Sequence, residues 1–374
     1  MKLKIKKDVL LNGLNKVSKA ISSKTLIPVL SGIKFELNKK GLNLMASDND
    51  ITIEVFIPIN KEDMTIEKEG SIIISGRYIL DIVRKLDSEY INIEVIDELK
   101  ILIYTENSEF NLNGISKSEY PNIKIELGDE VVNIHNKLFK TLVYQTAFAT
   151  SNDESRPILT GVNFKIEGKD LECNATDSYR LARKTIKLNK AVKAKHNIVI
   201  PNKNINEFIK VLDDNDSEIE MYIFSNKVVF KYDNLLFQSR LINGSYPNTS
   251  NLFPEESLVK IKFNVNELYN VIDRASILTS DREKNIVTLE TKDNNLTIKS
   301  QSVEVGRVEE KMSITKNNKE DISISFSAKY MMEALKSFDE EEVEIAFVGE
   351  VKPIIIKKLE KEDLVQLVLP IRTY

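Results

Sequence analysis

The sequence IKKDVLLNGLNKVSKAIS at residues 5–22 decides the fold, because its pattern occurs three times in the chain. The second copy is IHNKLFKTLVYQTAFATS at residues 134–151, and the third is FNVNELYNVIDRASILTS at residues 263–280. Successive copies begin 129 residues apart on both occasions. Each copy begins as a strand end and continues with apolar residues at helical spacing, so we predict three equivalent strand–helix repeats.

The apolar positions of the three predicted helices coincide. One set is Leu10, Phe139 and Leu268, and the set four residues later is Leu14, Val143 and Ile272. Residues four apart lie on the same face of an α-helix. We therefore expect this face of each helix to be buried against a sheet.

A second repeated pattern lies about 70 residues after the first in each repeat. It reads SGRYILDIVRKLDSEYINIEV at residues 75–95, PNKNINEFIKVLDDNDSEIEMYI at residues 201–223 and SAKYMMEALKSFDEEEVEIAFV at residues 327–348, with starts 126 apart twice. Each copy predicts a short helix, an acidic turn and an alternating strand. With the β-rich stretches in between, each repeat carries two helices and about eight strands, and is itself internally doubled.

These repeats predict an α+β fold of three domains, each with two helices packed on antiparallel sheets. We place the domains at residues 1–127, 128–254 and 255–374. The last boundary follows the turn-rich run Asn243-Gly244-Ser245-Tyr246-Pro247-Asn248. A triplicated scaffold without a common function remains an alternative at this point.

The composition excludes several classes of protein. The chain has 374 residues, 42% of them hydrophobic, and contains no run of the ~20 apolar residues that a bilayer span requires. It begins with alternating apolar and charged residues, which is a strand pattern and not a signal peptide. Its lone cysteine, Cys173, excludes an intrachain disulfide and a thiolate metal site, and fits a cytoplasmic location.

The sequence also lacks the usual motifs of catalysis. The two histidines, His135 and His196, stand alone, and no GxGxxG, GxxxxGK[ST] or GxSxG motif is present. Asp213-Asp214 and Glu340-Glu341-Glu342 follow predicted helices, where acidic runs are usually solvated turns, although a metal-binding or acid–base role is the alternative. We expect no catalytic residue, no metal site and no cofactor.

The charges are unevenly distributed between the helices and the rest of the chain. The formal net charge is −4, yet the six predicted helical segments together carry +8, which leaves −12 elsewhere. A basic helical layer facing a polyanion would produce this division, and sequence-independent phosphate contacts would be sensitive to salt. The alternative is that lysine is simply a good helix former. We expect duplex DNA as a partner, because no interleaved aromatic residues suggest a single-strand platform.

Several stretches resemble the bacterial beta sliding clamps, the beta subunits of DNA polymerase III, over the full length of the chain. They are LLNGLNKVSKAISSKTLIPVLSGIKFE, SRPILTGVNF, ATDSYRLA, GSYPN and VLPIRTY. The resemblance implies a non-catalytic processivity factor of the replicative polymerase that closes as a head-to-tail homodimeric ring around duplex DNA. It also implies that polymerases, the clamp loader and repair proteins bind through short linear peptides. Such a chain would be classed with DNA-directed DNA polymerases only because it is a subunit of that holoenzyme.

The resemblance implies a partner-peptide pocket between the second and third domains. The matching positions are Arg156, Leu159, Thr176, Ser178, Tyr179, Arg180, Leu181, Pro247, Leu252, Leu367, Leu369, Pro370, Ile371 and Arg372. The five leucines are expected to line an apolar socket, with Arg156, Thr176 and Arg372 at its polar rim. Ser178 and Tyr179 differ from the Gly and His common in the family. Ordinary core leucines are the alternative that the residues alone would favour.

The resemblance also implies DNA contacts and a ring interface. The DNA-contacting positions are Lys24, Arg77, Lys203 and Lys284, while Asp153 falls where the family commonly has a neutral polar residue. The interface is expected to pair an edge strand around Phe110 and Leu112 with the third domain near Ile277 and Leu278. A closed ring requires such a head-to-tail contact.

Two other functions compete with this interpretation. A nuclease or polymerase would need an acidic metal cluster, and magnesium-dependent turnover of DNA would reveal it. A protein-interaction scaffold would show no salt-dependent binding to DNA.

Overall fold

The structure is a computed structural model that describes residues 1–22, 27–253, 257–279, 285–302, 304–317 and 319–372. Its helices are Lys7–Val17 (α1), Gly76–Lys85 (α2), Asn136–Tyr144 (α3), Asn202–Val211 (α4), Val265–Ser276 (α5) and Ala328–Lys336 (α6). All six lie inside the segments predicted to be helical, and each ends before the predicted segment does. A 3-10 turn continues the first of them at Ser18–Ala20.

The described strands confirm the prediction of about eight strands per repeat. The first repeat contains Lys2–Lys6 (β1), Gly32–Asn38 (β2), Gly41–Ser47 (β3), Ile51–Pro58 (β4), Met64–Lys68 (β5), Gly70–Ser75 (β6), Tyr90–Asp97 (β7), Lys100–Tyr104 (β8) and Glu109–Asn113 (β9). The second contains Val132–His135 (β10), Gly161–Glu167 (β11), Asp170–Thr176 (β12), Arg180–Lys187 (β13), His196–Pro201 (β14), Glu218–Ile223 (β15), Lys227–Tyr232 (β16) and Leu235–Arg240 (β17). The third contains Val259–Asn264 (β18), Ile286–Lys292 (β19), Asn295–Ser302 (β20), Gly306–Ser313 (β21), Ser323–Ser327 (β22), Glu342–Phe347 (β23), Ile354–Lys358 (β24) and Leu364–Val368 (β25).

The chain folds as two compact units. Unit 1 comprises residues 1–137 and 203–241, and unit 2 comprises residues 138–202 and 242–374. The two halves of the second repeat therefore belong to different units. The predicted boundary at residue 254 falls in the stretch 254–256, which lies outside the described residues.

Unit 1 contains two antiparallel sheets. One has the strand order β5-β1-β7-β8-β9, and the other has the order β10-β15-β16-β17-β4-β3-β2-β6. The β17–β4 pair joins a strand of the second repeat to one of the first, with Phe237 opposite Ile53. Hydrogen bonding thus continues across the repeats as one eight-stranded sheet.

Helix α1 packs on this sheet because its apolar stripe is fully buried. Leu10 and Leu14 are 0% exposed. A Cβ added at Gly13 would lie 3.0 Å from the Leu44 side chain and 3.1 Å from Ile57, so glycine permits the close approach of helix and sheet. Burial of each leucine contributes about 2 kcal/mol to stability.

Unit 2 repeats this architecture. Its eight-stranded sheet has the order β14-β11-β12-β13-β25-β24-β23-β18, and a four-stranded sheet has the order β21-β20-β19-β22. The β13–β25 pair joins the second and third repeats, with Leu181 opposite Leu367. Helices α5 and α6 contribute Leu268, Ile272 and Leu335 to one apolar core. The six helix positions predicted to be buried are all at most 1% exposed.

Candidate functional site

The predicted partner pocket lies entirely within unit 2, and strand β25 supplies its apolar surface. Leu367 faces Leu181 across the β13–β25 pair, and the two are 3% and 1% exposed. Leu369 lies on the same side as Leu367, because side chains alternate along a strand. These three leucines pack in one cluster with Phe253, Ala346, Ile355 and Val365. Three of the five predicted leucines are therefore brought together.

The other two predicted leucines are placed differently. Leu159 is 4% exposed and packs with Tyr246 and Val199 in a second apolar cluster. Leu252 ends the 3-10 turn Ser250–Leu252 and is 46% exposed, and Pro247 is also exposed. The five leucines thus do not form a single closed socket. Leu252 presents its side chain to solvent, where a ligand can contact it.

The turn at residues 176–180 has an unusual backbone. The Thr176 hydroxyl donates to the Arg180 carbonyl oxygen at 2.5 Å and accepts from the Ser178 amide at 3.1 Å. The Asp177 Oδ1 atom accepts from the amides of Tyr179 at 2.9 Å and Arg180 at 3.1 Å. These bonds hold Ser178 at φ +80°, a left-handed conformation that favours glycine. Ser178 therefore stands at a position where a glycine would be less strained.

The Arg180 side chain braces this turn from inside the protein. Its Nε donates to Asp177 Oδ2 at 3.0 Å, its Nη1 pairs with Glu333, and its Nη2 donates to the Phe148 carbonyl oxygen at 2.8 Å. The guanidinium carbon lies 4.5 Å from the Tyr330 ring centroid and 5.4 Å from that of Phe148. The residue is 8% exposed. Arg180 therefore holds the turn at residues 176–180 in place, since its donors are directed inward.

Sequence reasoning missed the partners of Arg180. Phe148 follows α3, whereas Tyr330 and Glu333 both lie on α6, far from Arg180 in the sequence, and none of them carries a motif of its own. Burial raises the pKa of the Tyr330 hydroxyl, with the Asp177 carboxylate acting in the same direction and the Arg180 charge opposing it. The ring thus stays neutral beside the guanidinium, as a stacking partner should.

The polar rim differs in part from the expectation. Arg156 and Arg372 are exposed, and the Arg156 Nη1 donates to Ser178 Oγ at 3.0 Å. Thr176 is only 8% exposed and its hydroxyl is used inside the turn, so it supports the rim from below. Pro370 and Ile371 are half-buried, and the Ile371 amide donates to the Ser325 carbonyl oxygen at 2.7 Å.

The buried Tyr246 closes the second apolar cluster. Burial raises the pKa of its hydroxyl well above the usual range, with the Asp177 carboxylate acting in the same direction and the Thr176 backbone opposing both. Tyr246 is therefore a neutral structural side chain at all physiological pH values.

A cavity of about 320 Å³ lies on the same face of the eight-stranded sheet. Its lining includes Phe253, Ala346, Ile355 and Val365, which also pack against the leucines of the pocket surface. Its other lining residues are Glu172, Arg183, Thr185, Ser257, Lys260, Val348, Lys357 and Glu362. None of the fourteen predicted pocket residues lines this cavity. The cavity therefore lies beside the predicted site and is lined by other side chains.

Only two of the predicted DNA-contacting residues are described. Arg77 is exposed near the start of α2, and among the described residues it has no ion pair. Lys203 lies near the start of α4 with its Nζ 3.6 Å from Asp48 Oδ2. Lys24 and Lys284 lie outside the described residues. Of these two residues, Arg77 has the charge that is more available to a phosphate.

Several helix cations are paired with acidic residues of the same unit. Lys16 pairs with Asp213 at 3.1 Å, and Lys137 pairs with Asp216 at 2.6 Å. These acids belong to the turn that we expected to be solvated. The basic character of the helical layer is therefore smaller than the summed charge suggests.

The predicted interface residues lie at an exposed edge and beside one. Strand β9 is the edge of the five-stranded sheet and carries Phe110, which is 37% exposed, and Leu112, which is half-buried. Ile277 is 73% exposed, but it and Leu278 follow α5 and are not in a strand. In the third repeat, the strand available for backbone pairing is instead β21, an edge strand of the four-stranded sheet.

The described residues hold no cluster of three or more His, Cys, Asp or Glu side chains with metal-binding geometry. Burial raises the pKa of the Cys173 thiol well above its usual range, so the thiol is unreactive. In the described part of the chain, no helix has the length and apolar character needed to cross a bilayer.

Comparison with known proteins gives matches along the entire chain. Family models of the DNA polymerase III beta subunit match in order: the N-terminal domain at residues 1–124, the central domain at 133–248 and the C-terminal domain at 250–372. The Beta sliding clamp of Bacillus subtilis (strain 168) is 42% identical over 378 residues, covering all of both chains. A crystal structure of the Bacillus subtilis DNA polymerase sliding clamp superposes with a TM-score of 0.96 at 42% identity and full coverage of both chains. The DNA polymerase III beta chain from Streptococcus pneumoniae TIGR4 gives a TM-score of 0.96 at 34% identity, also with full coverage of both.

Proposed function

We propose the function of this chain from one premise: it belongs to the family of bacterial beta sliding clamps, the beta subunits of DNA polymerase III. It is a DNA sliding clamp, the processivity factor of the replicative polymerase, and a non-catalytic subunit of that holoenzyme. The observation that carries this conclusion is the match of all three family domains, in order, along one chain.

The mechanism follows from ring closure and weak electrostatics. Two chains join head to tail and enclose duplex DNA, so the protein is retained by topology and needs no tight contact. Sequence-independent contacts to phosphates let the ring slide. For these contacts we propose Lys24, Arg77, Lys203 and Lys284. The exposure of Arg77 supports this assignment.

The partner-peptide pocket is proposed at the fourteen residues named above. The cluster of Leu181, Leu367 and Leu369 supports it, because an apolar surface at a strand end can bury apolar side chains of a short peptide. Arg180 holds the turn that forms one wall. Arg156 and Arg372 are exposed where they can bind peptide carbonyls or carboxylates.

We propose that the ring closes by pairing the β9 edge of one chain with the β21 edge of the other. Phe110 and Leu112 would then pack beside Ile277 and Leu278. The 73% exposure of Ile277 supports this, since an apolar side chain so exposed gains by being covered.

We further propose that the domains span residues 1–127, 128–254 and 255–374, and that the protein resides in the cytoplasm. The matched family ranges support the first assignment. The lone cysteine supports the second.

Primer extension on a long, singly primed circular template tests the proposed function. With the replicative polymerase and clamp loader of the same organism, we expect full-length products in a single binding event only when this protein is added. A polymerase whose product length is unchanged by the protein would contradict a processivity role.

A further inference from the structure

Unit 1 contains a turn with the same geometry as the turn at residues 176–180. The Ser47 hydroxyl donates to the Ile51 carbonyl oxygen at 3.0 Å, as Thr176 does in unit 2. The Asp48 Oδ1 atom accepts from the amides of Asp50 at 3.1 Å and Ile51 at 2.9 Å. Asn49, between them, has φ +78°, against +80° at Ser178.

The strands beside the two turns are also equivalent. The Arg240 amide donates to the Asp50 carbonyl oxygen at 2.9 Å, and the Leu369 amide donates to the Tyr179 carbonyl oxygen at 2.9 Å. In unit 2 the cross-strand row through the pocket surface is Leu181, Leu367, Ile355 and Ala346. In unit 1 the corresponding row is Thr52, Gln238, Val229 and Tyr222.

The apolar clusters behind the two turns match as well. In unit 2, Tyr246 packs with Leu159. In unit 1, Tyr120 packs with Leu30, and both tyrosines precede Pro-Asn. Unit 1 therefore contains the same turn, the same paired strands and the same tyrosine cluster as the pocket, built from the first repeat and strands β15 to β17.

The two units differ in the side chains at the pocket surface. Thr52 takes the place of Leu181 and shares a 2.9 Å hydrogen bond with the Ser47 hydroxyl. Gln238 takes the place of Leu367, and its Oε1 accepts from Lys227 Nζ at 3.1 Å. Arg240 takes the place of Leu369 and is exposed. Three leucines in unit 2 thus correspond to three polar side chains in unit 1.

We propose that Thr52, Gln238 and Arg240 are the determinants that confine the apolar partner peptide to unit 2. Unit 1 has an equivalent backbone arrangement, but it does not bind the peptide because its surface is polar. An apolar peptide on that surface would remove the Gln238 amide and the Arg240 guanidinium from water without offering them partners. It would also gain none of the apolar burial that the three leucines provide. The inference rests on the proposed pocket and concerns why each chain has only one.

Exchanging the two sets of side chains tests the inference. The probe is a fluorescein-labelled peptide copied from the clamp-binding segment of the organism's replicative polymerase, titrated by calorimetry to give the number of sites per chain. The silencing variant carries Leu181→Thr, Leu367→Gln and Leu369→Arg. The opening variant carries Thr52→Leu, Gln238→Leu and Arg240→Leu, and a combined variant carries all six changes.

We expect one site per chain in the wild type and an affinity at least 100-fold weaker in the silencing variant. The opening variant should have two sites per chain. The combined variant should have one. One site in the opening variant and none in the combined variant, with wild-type thermal unfolding, would overturn the inference. A wild type without a site, or a silencing variant that binds normally, would instead refute the pocket assignment.

A milder variant covers the risk that Leu at the buried Thr52 disturbs folding. Gln238→Leu with Arg240→Leu changes only side chains that are not fully buried. With a photo-crosslinking form of the peptide, we expect crosslinks to residues 47–52 in this variant on the silencing background, and none in the silencing variant alone. Equal labelling of that stretch in both proteins would contradict the proposal.

Discussion

The backbone amide of Leu369 donates a 2.9 Å hydrogen bond to the carbonyl oxygen of Tyr179. This bond extends the β13–β25 pairing by one step beyond Val368, the last residue of β25. It fixes the C-terminal segment against the turn at residues 176–180. The apolar surface of the proposed pocket is therefore already formed by backbone pairing, and a preformed surface of this kind would lower the entropy cost of binding a peptide.

Replacing Leu369 with Ala together with Arg372 with Ala should weaken peptide binding about 100-fold. The first change removes roughly 2 kcal/mol of apolar burial, and the second removes an exposed charge at the rim. Fluorescence anisotropy with a labelled polymerase peptide measures the affinity.

The same double variant should keep the wild-type solution mass, close to twice 42.7 kDa, because neither residue is at the proposed ring interface. Sedimentation provides this control. Wild-type affinity for the peptide in the double variant would contradict the pocket assignment.

Replacing Arg180 with Met should destabilise unit 2 by about 3 kcal/mol. The change leaves the largely buried Asp177 and the half-buried Glu333 without their shared cation. Arg180→Lys should recover only part of the loss, because a lysine cannot reproduce the three donor directions. Lys329→Met, at an exposed position on the same helix as Glu333, is the matched control and should lie within about 0.5 kcal/mol of wild type. Scanning calorimetry measures the stability of all three variants. Wild-type stability in the Arg180→Met protein would refute the proposed role of Arg180 in holding the turn.

Replacing Ser178 with Gly should stabilise the protein by about 1 kcal/mol, because φ +80° is strained for any residue with a Cβ. The exposed Arg156–Ser178 hydrogen bond that is lost contributes little. Asn49→Gly, at φ +78° in unit 1, should gain less, because asparagine tolerates this conformation. Equilibrium unfolding in urea measures both, and a larger gain at Asn49 than at Ser178 would contradict the strain argument.

The Lys184–Asp363 pair should make the free energy of unfolding decrease as the pH becomes acidic. Burial acts to raise the pKa of Asp363, but the hydrogen bond and charge of Lys184 outweigh it and leave the pKa lowered. A carboxyl whose pKa is lower in the folded state stabilises above its unfolded pKa, about 3.9, and loses that contribution as pH falls through the folded value.

Asp363→Asn should therefore cost about 1 to 3 kcal/mol at pH 7, since Lys184 is nearly buried with its Nζ 2.7 Å from Asp363 Oδ2. The cost should shrink as pH falls below 4. Unfolding midpoints of both proteins across pH 3 to 7 give the comparison, and a cost independent of pH would exclude this linkage.

The repeats and helices were predictable because their signal is local. The same apolar positions recur at fixed spacing, and Leu10, Phe139 and Leu268 are all buried as that spacing requires. The ends of the helices were not predictable, since the repeated sequence at residues 134–151 contains both α3 and a separate 3-10 turn at Ala147–Ala149. The pattern of apolar residues continues through the change of helix type.

The sequence could not predict that the leucines of the proposed pocket would lie in two different apolar clusters. Whether Leu159 shares a cluster with Leu181 depends on strand pairing between distant segments, and β13 pairs with β25 across more than 170 residues. The contacts of Arg180 could not be predicted either, because its partners Phe148 and Glu333 are distant in the sequence. The sequence did carry one sign of it: Asp177 stands three residues before Arg180, the spacing of the observed ion pair.

Retention on circular and linear DNA tests the central claim most directly. The protein is loaded onto a nicked circular duplex with its clamp loader, separated by gel filtration, and the DNA is then cut once with a restriction enzyme. We expect the protein to elute with the circle and to be lost after the cut, and we expect Ile277→Asp, which opens the proposed interface, to be retained on neither. Equal retention of the wild type on circular and linear DNA would contradict encirclement.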